Sequence, residues 1–387
     1  MNYKEILDKY STPLYVYDEN TLINRVNYIK SKLDKNFKII YAVKANTFII
    51  PLLTKLVDGF ELCSFGEVEI CNKLNIDSKK FVISGVNKDE KSISYIMSNY
   101  DVLKYTIESY NQYKLLSELA LKYNKKIDVL IRLSSSNQFG VIEEDFEKII
   151  KENENNNYIN ILGIQYFTGT QKHSIKKVNK EIDYLNNFIS LIESKYPIKI
   201  KEVEYGTGSP VFYFQGEEFD EDTYFEELNK ALNKLNGREI SLEIGRSISA
   251  SCGIYLTRVV DIKTNKYGNT VILDGGMNHL VYYGQTMAMR VPHFDIFPKR
   301  DCPKVTYNLY GSLCTINDII IKDVTVNKLQ LNDTFIFKNV GAYSSTEAIA
   351  LFLSRELPKI IICDSKGNYH VVRDALKTSE INFPCYR

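Results

Sequence analysis

Lys44 lies in Tyr41-Ala42-Val43-Lys44-Ala45-Asn46, directly behind the largely apolar run Phe37 to Tyr41. A lysine at the mouth of a buried strand is poorly solvated, and desolvation disfavours its ammonium form. A neutral amine there is suited to forming a Schiff base with a carbonyl group. At a strand end a lysine is more commonly a solvated edge residue, so the neighbouring strand ends matter. They carry Ser64-Phe65-Gly66-Glu67, Thr168-Gly169-Thr170, Gly206-Thr207-Gly208 and Gly245-Arg246. Glycines let backbone N–H groups approach an anion closely, and Arg246 adds fixed positive charge, although it also suits a structural ion pair. Glu243 stands between Leu242 and Ile244. It is expected to point inward, where an unpaired carboxylate is costly and a partner is required.

These residues follow a regular series of strands. Short β-rich runs at Ile39–Val43, Phe60–Cys63, Phe81–Ser84, Val102–Thr106, Ile127–Leu133, Ile161–Phe167, Lys201–Tyr205 and Ile240–Ile244 alternate with amphipathic stretches such as Ser109–Tyr123 and Lys180–Lys195. In those stretches apolar residues recur every three to four positions. Strand–helix alternation fits either a (β/α)₈ barrel or an open doubly wound sheet. Eight units with reactive residues after many different strands favour the barrel, because all those points then share one rim. The last strands of such a barrel commonly hold a phosphate. A lysine facing a phosphate cradle suggests a phosphorylated aldehyde.

After about Cys252 the pattern becomes β-rich. Ile254–Lys263 and Thr270–Asp274 flank the turn residues Lys266-Tyr267-Gly268-Asn269, and Val305–Tyr310, Thr334–Asn339, Ile360–Asp364 and His370–Arg373 follow. The expected organisation is an N-terminal strand over 1–25 that joins the β domain, a barrel over 26–252, and an all-β domain over 253–387. The chain has 387 residues, 44% hydrophobic and 25% charged, with formal net charge +1. That balance provides no global field for nucleic acid or an anionic membrane surface. No apolar run approaches the roughly 20 residues of a membrane span. The start of the chain lacks a signal-peptide core, and seven cysteines show no CxxC pair, so reduced thiols and a cytoplasmic location are expected.

The motifs resemble, in order, those of the fold-type III pyridoxal phosphate decarboxylases, which include the ornithine, arginine and diaminopimelate enzymes. Tyr41 to Asn46 is similar to the family's cofactor-lysine segment. Gly206-Thr207-Gly208 is similar to its triple-glycine loop, with Thr in the middle. Glu243-Ile244-Gly245-Arg246 is similar to Glu-Pro-Gly-Arg, Gly311-Ser312-Leu313-Cys314 to Gly-Pro-x-Cys, and Gly341-Ala342-Tyr343 to Gly-Ala-Tyr. The resemblance implies that Lys44 carries pyridoxal 5'-phosphate and that Glu243 keeps the ring nitrogen protonated. It implies that Thr170, Gly206, Gly208, Gly245, Arg246 and Tyr343 hold the phosphate. Phe167 stands where the family usually stacks a histidine on the ring. Cys314 becomes the proton donor after loss of CO₂, reaching across from a second subunit, so a homodimer with shared active sites is implied.

Substrate choice in this family is set next to that cysteine. Where ornithine and diaminopimelate enzymes place a carboxylate for the distal ammonium, this chain has Thr315. A buried ammonium without a partner costs roughly 3–5 kcal/mol. Tyr166-Phe167-Thr168-Gly169-Thr170-Gln171 and Leu313-Cys314-Thr315-Ile316-Asn317-Asp318 resemble the subgroup that decarboxylates a glutamyl group carried on an acyl carrier protein in aminoglycoside antibiotic biosynthesis. His279 and Tyr282, in a stretch similar to the family's Asp-Ala-Gly-Met-Asn-Asp, are expected with Thr315 at the substrate entry; a structural role suits His279 equally. Arg290, Lys299 and Arg300 are candidates for meeting an acidic carrier, or form a solvated face. The resemblance implies decarboxylation of a carrier-protein-bound, glutamyl-like or otherwise modified amino acid in secondary metabolism; the alternatives are a decarboxylase of free diaminopimelate or ornithine, an amino-acid racemase, and a cofactor-binding protein without catalysis.

Overall fold

The computed structural model describes residues 1–385 and divides into two compact units, one of residues 26–210 and 220–247, the other of residues 1–25, 211–219 and 248–387. The first strand, β1 (Leu14–Asp18), belongs to the second unit. The next eight belong to the first: β2 (Lys38–Ala42), β3 (Gly59–Leu62), β4 (Phe81–Ile83), β5 (Lys104–Ile107), β6 (Ile127–Leu133), β7 (Ile159–Tyr166), β8 (Glu202–Gly206) and β9 (Glu239–Ile244). All eight are parallel, and the pairing of β2 with β9, with Ile40 opposite Glu243, closes them into a barrel.

Local chemistry starts the intervening helices. Ser64, Asp89, Ser109, Ser174 and Asp220 each accept a hydrogen bond from the backbone N–H three residues on. Caps of this kind contribute about 1 kcal/mol each. After β3 the cap is doubled: Ser64 Oγ accepts from Glu67 N at 3.2 Å, while Glu67 Oε2 accepts from Cys63 N at 2.6 Å. The helix Ile175–Lys195 buries Val178, Ile182, Leu185, Phe188, Ile189 and Ile192, the stripe its three- and four-residue spacing demands. Glu181 is buried in the same stripe.

Barrel interiors are usually filled by branched apolar layers, but this one holds a paired polar layer. Alternate residues of a strand share a face, so Glu202 and Glu204 of β8 and Ser241 and Glu243 of β9 turn the same way along their strands. Lys104 of β5 forms ion pairs with Glu202 and, at 3.0 Å, with Glu204. Gln165 of β7 donates to Glu204 at 2.8 Å, and Ser241 donates to Glu202 at 2.6 Å. Lys104 is 3% exposed and Glu204 fully buried, so their pairing is what makes the burial affordable.

The second unit is a mixed sheet. Its further strands are β10 (Gly253–Asn265), β11 (Gly268–Leu273), β12 (Phe294–Phe297), β13 (Lys304–Tyr310), β14 (Ile319–Asn327), β15 (Thr334–Phe337), β16 (Lys359–Cys363) and β17 (Tyr369–Arg373). The path runs β14-β13-β11-β10-β1-β16-β17, with β15 pairing β10 and β12. β1 is antiparallel to β10 and parallel to β16. Ile6, Leu14, Val16, Ile254, Leu256, Ile336, Ile361 and Cys363 form a buried cluster, with Ile6 supplied by the helix Tyr3–Lys9.

The sequence pattern missed two strands. β12 has no alternation because all four of its residues are half-buried, and β14 is broken by register shifts and by Asp323 at φ 50°. The expected strand over Val102–Thr106 is observed at Lys104–Ile107. No helix among the described residues is long and apolar enough to cross a membrane.

Gly163 of β7 shows how closely the barrel strands approach: a Cβ there would lie 1.8 Å from the Glu202 carbonyl oxygen. Overpacking against immovable backbone costs about 1–3 kcal/mol or more. Gly163→Ala is expected to lower the free energy of urea unfolding by at least that amount, whereas Gly237→Ala, whose added Cβ meets nothing within 4 Å, is expected to cost less and only through its φ of +78°.

Candidate active site

Lys44 sits in the short 3₁₀ turn Val43–Ala45 that follows β2. Its Nζ is 2.7 Å from Glu61 Oε2 and 3.1 Å from Glu243 Oε1. The ammonium is therefore ion-paired, in place of the poorly solvated amine expected from its position behind an apolar strand. Glu61, on β3, had no motif to mark it; only its place on the strand beside β2 and its inward face bring it to Lys44. Cys63 Sγ lies 3.7 Å from the same nitrogen, and burial pushes this thiol well above its ordinary range.

The two acids are driven apart. Burial, followed by the Glu61 charge, pushes Glu243 up to about 8 against the opposing pull of Lys44. Burial also opposes ionisation of Glu61, but the Lys44 ammonium and hydrogen bonds from Glu243 and Lys44 outweigh it and bring Glu61 down to about 2. Near neutral pH the cluster is a lysine ammonium, a Glu61 carboxylate and a Glu243 carboxyl that carries a proton. Two carboxyls this close cannot both ionise cheaply, so one proton stays with the pair.

The glycine loops form the other half of the site. Gly208, at φ +57°, comes so close to the loop after β7 that a Cβ would lie 2.3 Å from the Gly169 carbonyl oxygen. A Cβ on Gly206 would fall 2.2 Å from the Phe167 ring. Thr207, the departure from a triple glycine, is accommodated with its N–H donating to the Glu243 carbonyl at 3.3 Å. The Gly208 N–H has no acceptor among the described residues. Arg246 is buried, with Nε 3.3 Å from Thr170 Oγ1. Gly245 precedes it at the end of β9. An unspent backbone donor beside a buried guanidinium fits a phosphate, and an amine held 3.1 Å from a protonated acid fits an aldehyde-bearing ring with a basic nitrogen. The residues present thus suit pyridoxal phosphate.

The remaining expected site residues belong to the sheet unit and are described within it. Cys314 is exposed, and Thr315 is half-buried beside it. The loop that carries them is held by Asp318, whose carboxylate accepts Met277 N and Leu313 N, each at 2.7 Å. Added Cβ atoms at Gly276 and Gly311 would strike that carboxylate at 2.2 and 2.4 Å. The aspartate of the Leu-Cys-Thr-x-x-Asp spelling is therefore a loop clasp. Tyr343 adopts φ 65°. His279 is buried, with Nε2 2.8 Å from the Glu356 carbonyl and Nδ1 3.0 Å from Tyr255 OH; burial lowers it to about 4, so the ring is neutral. Tyr282 is buried and donates to the Lys338 carbonyl at 2.8 Å. Arg290 pairs with Glu217 at 3.0 Å and Arg300 with Asp333 at 2.7 Å, while Lys299 is exposed.

Barrel, lysine, acid pair and glycine cradle together define an enzyme that works through a phosphorylated aldehyde cofactor. Residues 19–250 match the family model for the pyridoxal binding domain of pyridoxal-dependent decarboxylases, and the chain belongs to that family. It is a pyridoxal phosphate-dependent amino-acid decarboxylase. It is 26% identical over 363 residues to diaminopimelate decarboxylase of Campylobacter jejuni, covering 89% of each chain. It is 25% identical over 398 residues to the L-glutamyl-[BtrI acyl-carrier protein] decarboxylase of Niallia circulans, covering 94% of this chain and 91% of that one. In fold it is similar to the crystal structure of Helicobacter pylori diaminopimelate decarboxylase complexed with L-lysine, with TM-score 0.87 at 23% identity over 98% of both chains.

The raised acid has a thermodynamic signature. Between about pH 4.5 and 8 folded Glu243 keeps a proton that the unfolded chain releases, so its contribution to stability is complete at low pH and falls as pH rises through about 8. Glu61 acts in the opposite sense and over a lower range, losing its contribution as pH falls from about 4.5 to 2. In cofactor-free protein, the urea midpoint of Glu243→Gln is expected to gain on the wild type from about pH 5 to 8. A pH-independent difference would show that the proton lies elsewhere.

Proposed function

We propose that this decarboxylase acts on an amino acid lacking a free distal ammonium, specifically a glutamyl group carried on an acyl carrier protein. The observation that supports this reading is Thr315, a neutral residue directly after Cys314 in an accessible loop. A substrate ammonium at that point would leave water without a counter-ion, at roughly 3–5 kcal/mol. The relative named for a carrier-bound glutamyl substrate adds support. A second reading, free diaminopimelate, is favoured by the Campylobacter jejuni relative.

In this reading Lys44 is the covalent anchor of the cofactor, and Glu243 holds a proton on its carboxyl opposite the ring nitrogen. Phe167 supplies an aromatic face for the ring. Thr170, Gly206, Gly208, Gly245, Arg246 and Tyr343 hold the phosphate. When bound, the cofactor supplies an electron sink for the pair left behind as CO₂ departs. Glu61 keeps a carboxylate beside Lys44 Nζ at 2.7 Å, which would hold that nitrogen as an ammonium whenever it is not covalently engaged. Cys314 Sγ, from a second copy of the chain, delivers a proton to the substrate carbon. An apolar group of Leu351, Phe352, Leu353, Ile381 and Phe383, each at least 45% exposed, supports burial against another copy. Arg290 and Lys299 are the exposed members of the basic set proposed to meet an acidic carrier, and Arg290 and Arg300 are also engaged by carboxylates.

Mass spectrometry of a glutamyl-loaded carrier should show loss of CO₂ faster than from free glutamate, ornithine, lysine or diaminopimelate. Faster turnover of any free amino acid would sink the carrier reading. Cys314→Ala should retain cofactor absorbance and lose roughly 10²–10⁴-fold in turnover, the usual contribution of a positioned proton donor. Inactive Lys44→Ala and Cys314→Ala chains mixed together should recover about a quarter of the wild-type sites if each site draws on two copies. No recovery would place both residues in one chain's site.

A further inference from the structure

Lys172 is a buried basic residue beside the glycine loops that the proposed reaction leaves without a task. It is 3% exposed and lies two residues after Thr170. Its ammonium reaches Glu181 Oε2 at 2.9 Å, Gly206 O at 3.0 Å and Tyr205 OH at 3.1 Å. Its backbone N–H donates to Gly208 O at 2.8 Å. Glu181, the one carboxylate in the apolar stripe of helix Ile175–Lys195, also accepts from Thr168 Oγ1 and from Tyr205 OH, each at 2.6 Å. One lysine therefore takes up the carbonyl oxygens of both glycines in Gly206-Thr207-Gly208, and its partner acid ties down the loop that carries Thr170.

The consequence is directional. In a trans peptide the carbonyl and the next N–H point in opposite senses. Holding the Gly206 carbonyl on the Lys172 side turns the Thr207 N–H toward β9, where it meets the Glu243 carbonyl at 3.3 Å. The loop is thus strung between Lys172 and the strand that carries Glu243 and leads into Arg246. Gly208 packs on the lysine stem, since an added Cβ would lie 2.9 Å from Lys172 Cε. Direct attraction of a phosphate is a lesser effect, because the Lys172 charge is matched by Glu181 at contact distance. Orientation of the loop dipoles is the larger effect.

We propose that Lys172, clasped by Glu181, is a positioning residue that fixes the two glycine loops in the form that receives the cofactor's phosphate. This rests on the reading of Gly206, Gly208 and Arg246 as the phosphate site. The double variant Lys172→Met/Glu181→Gln removes both buried charges together and so avoids leaving an uncompensated carboxylate. The test compares binding of pyridoxal 5'-phosphate with binding of pyridoxal, which lacks the phosphate, to cofactor-depleted full-length protein by absorbance titration.

The double variant should lose about tenfold or more in affinity for pyridoxal 5'-phosphate and stay within about twofold for pyridoxal. The ³¹P resonance of the bound cofactor should shift or broaden. Equal losses for both ligands, or no loss for either, would overturn the proposal. Arg246→Gln separates it from the reading beneath it. If that variant discriminates against the phosphate and the double variant does not, Lys172 has no positioning role and the phosphate site stands. If Arg246→Gln weakens both ligands alike, the phosphate site is elsewhere and the proposal falls with it.

Discussion

The site depends on one crowded ion cluster: the Lys44 ammonium held between two buried acids on strands β3 and β9. Neither acid can be understood alone. A single buried glutamate beside a lysine would simply ionise. Two of them sharing one cation leave a net excess of negative charge in a region of low dielectric, and a proton is retained to relieve it. Glu61 is favoured as the carboxylate because the Lys44 ammonium lies nearer to it, at 2.7 Å against 3.1 Å, and its hydrogen bonds further stabilise the charged form, so Glu243 is left with the proton. The cluster thereby pushes two chemically similar side chains toward opposite protonation states.

The same principle extends down the barrel. Lys104, Glu202, Glu204, Gln165 and Ser241 form a second polar layer with its charges paired. Glu204 is close enough to contribute to the upward pressure on Glu243. Polar interiors of this kind are stable only when their members are satisfied together. That condition restricts substitution within the barrel as strongly as close packing does in an apolar core. The glycine loops obey a comparable restriction in backbone terms. They pack so closely that side chains are excluded at Gly206, by the Phe167 ring, and at Gly208, by the Gly169 carbonyl and the Lys172 stem.

In the sheet unit, Asp318 clasps the Cys314 loop as the Lys172–Glu181 pair clasps the loops that carry Thr168 and Gly206. It gathers backbone N–H groups from Met277 and Leu313 and requires glycine on either side. His279, neutral and hydrogen-bonded to Glu356 and Tyr255, belongs to the same supporting layer. Loops that carry sequence motifs are held here by buried polar clasps, and the clasps are less conspicuous in sequence than the motifs they hold.

Much is legible in the sequence alone. Alternating strands and helices, the lysine after the first barrel strand, and glycines after the seventh and eighth strands of the chain's own series follow from local periodicity and from the backbone needs of anion binding, which are properties of short segments. Glu61, Lys172 and Glu181 were not legible. Glu202-Val203-Glu204 reads by alternation as a strand with one wet face, since alternation distinguishes two faces without saying which one water reaches. β12 and β14 escaped for a related reason, as half-burial and a bulged register erase the period that would announce them. The sequence by itself determined the order of elements and the reactive groups at their ends. Closure of the barrel alone decided that acids from β3 and β9 meet one lysine, because the distance between residues 61 and 243 is set by strand pairing around a ring and not by any interval along the chain.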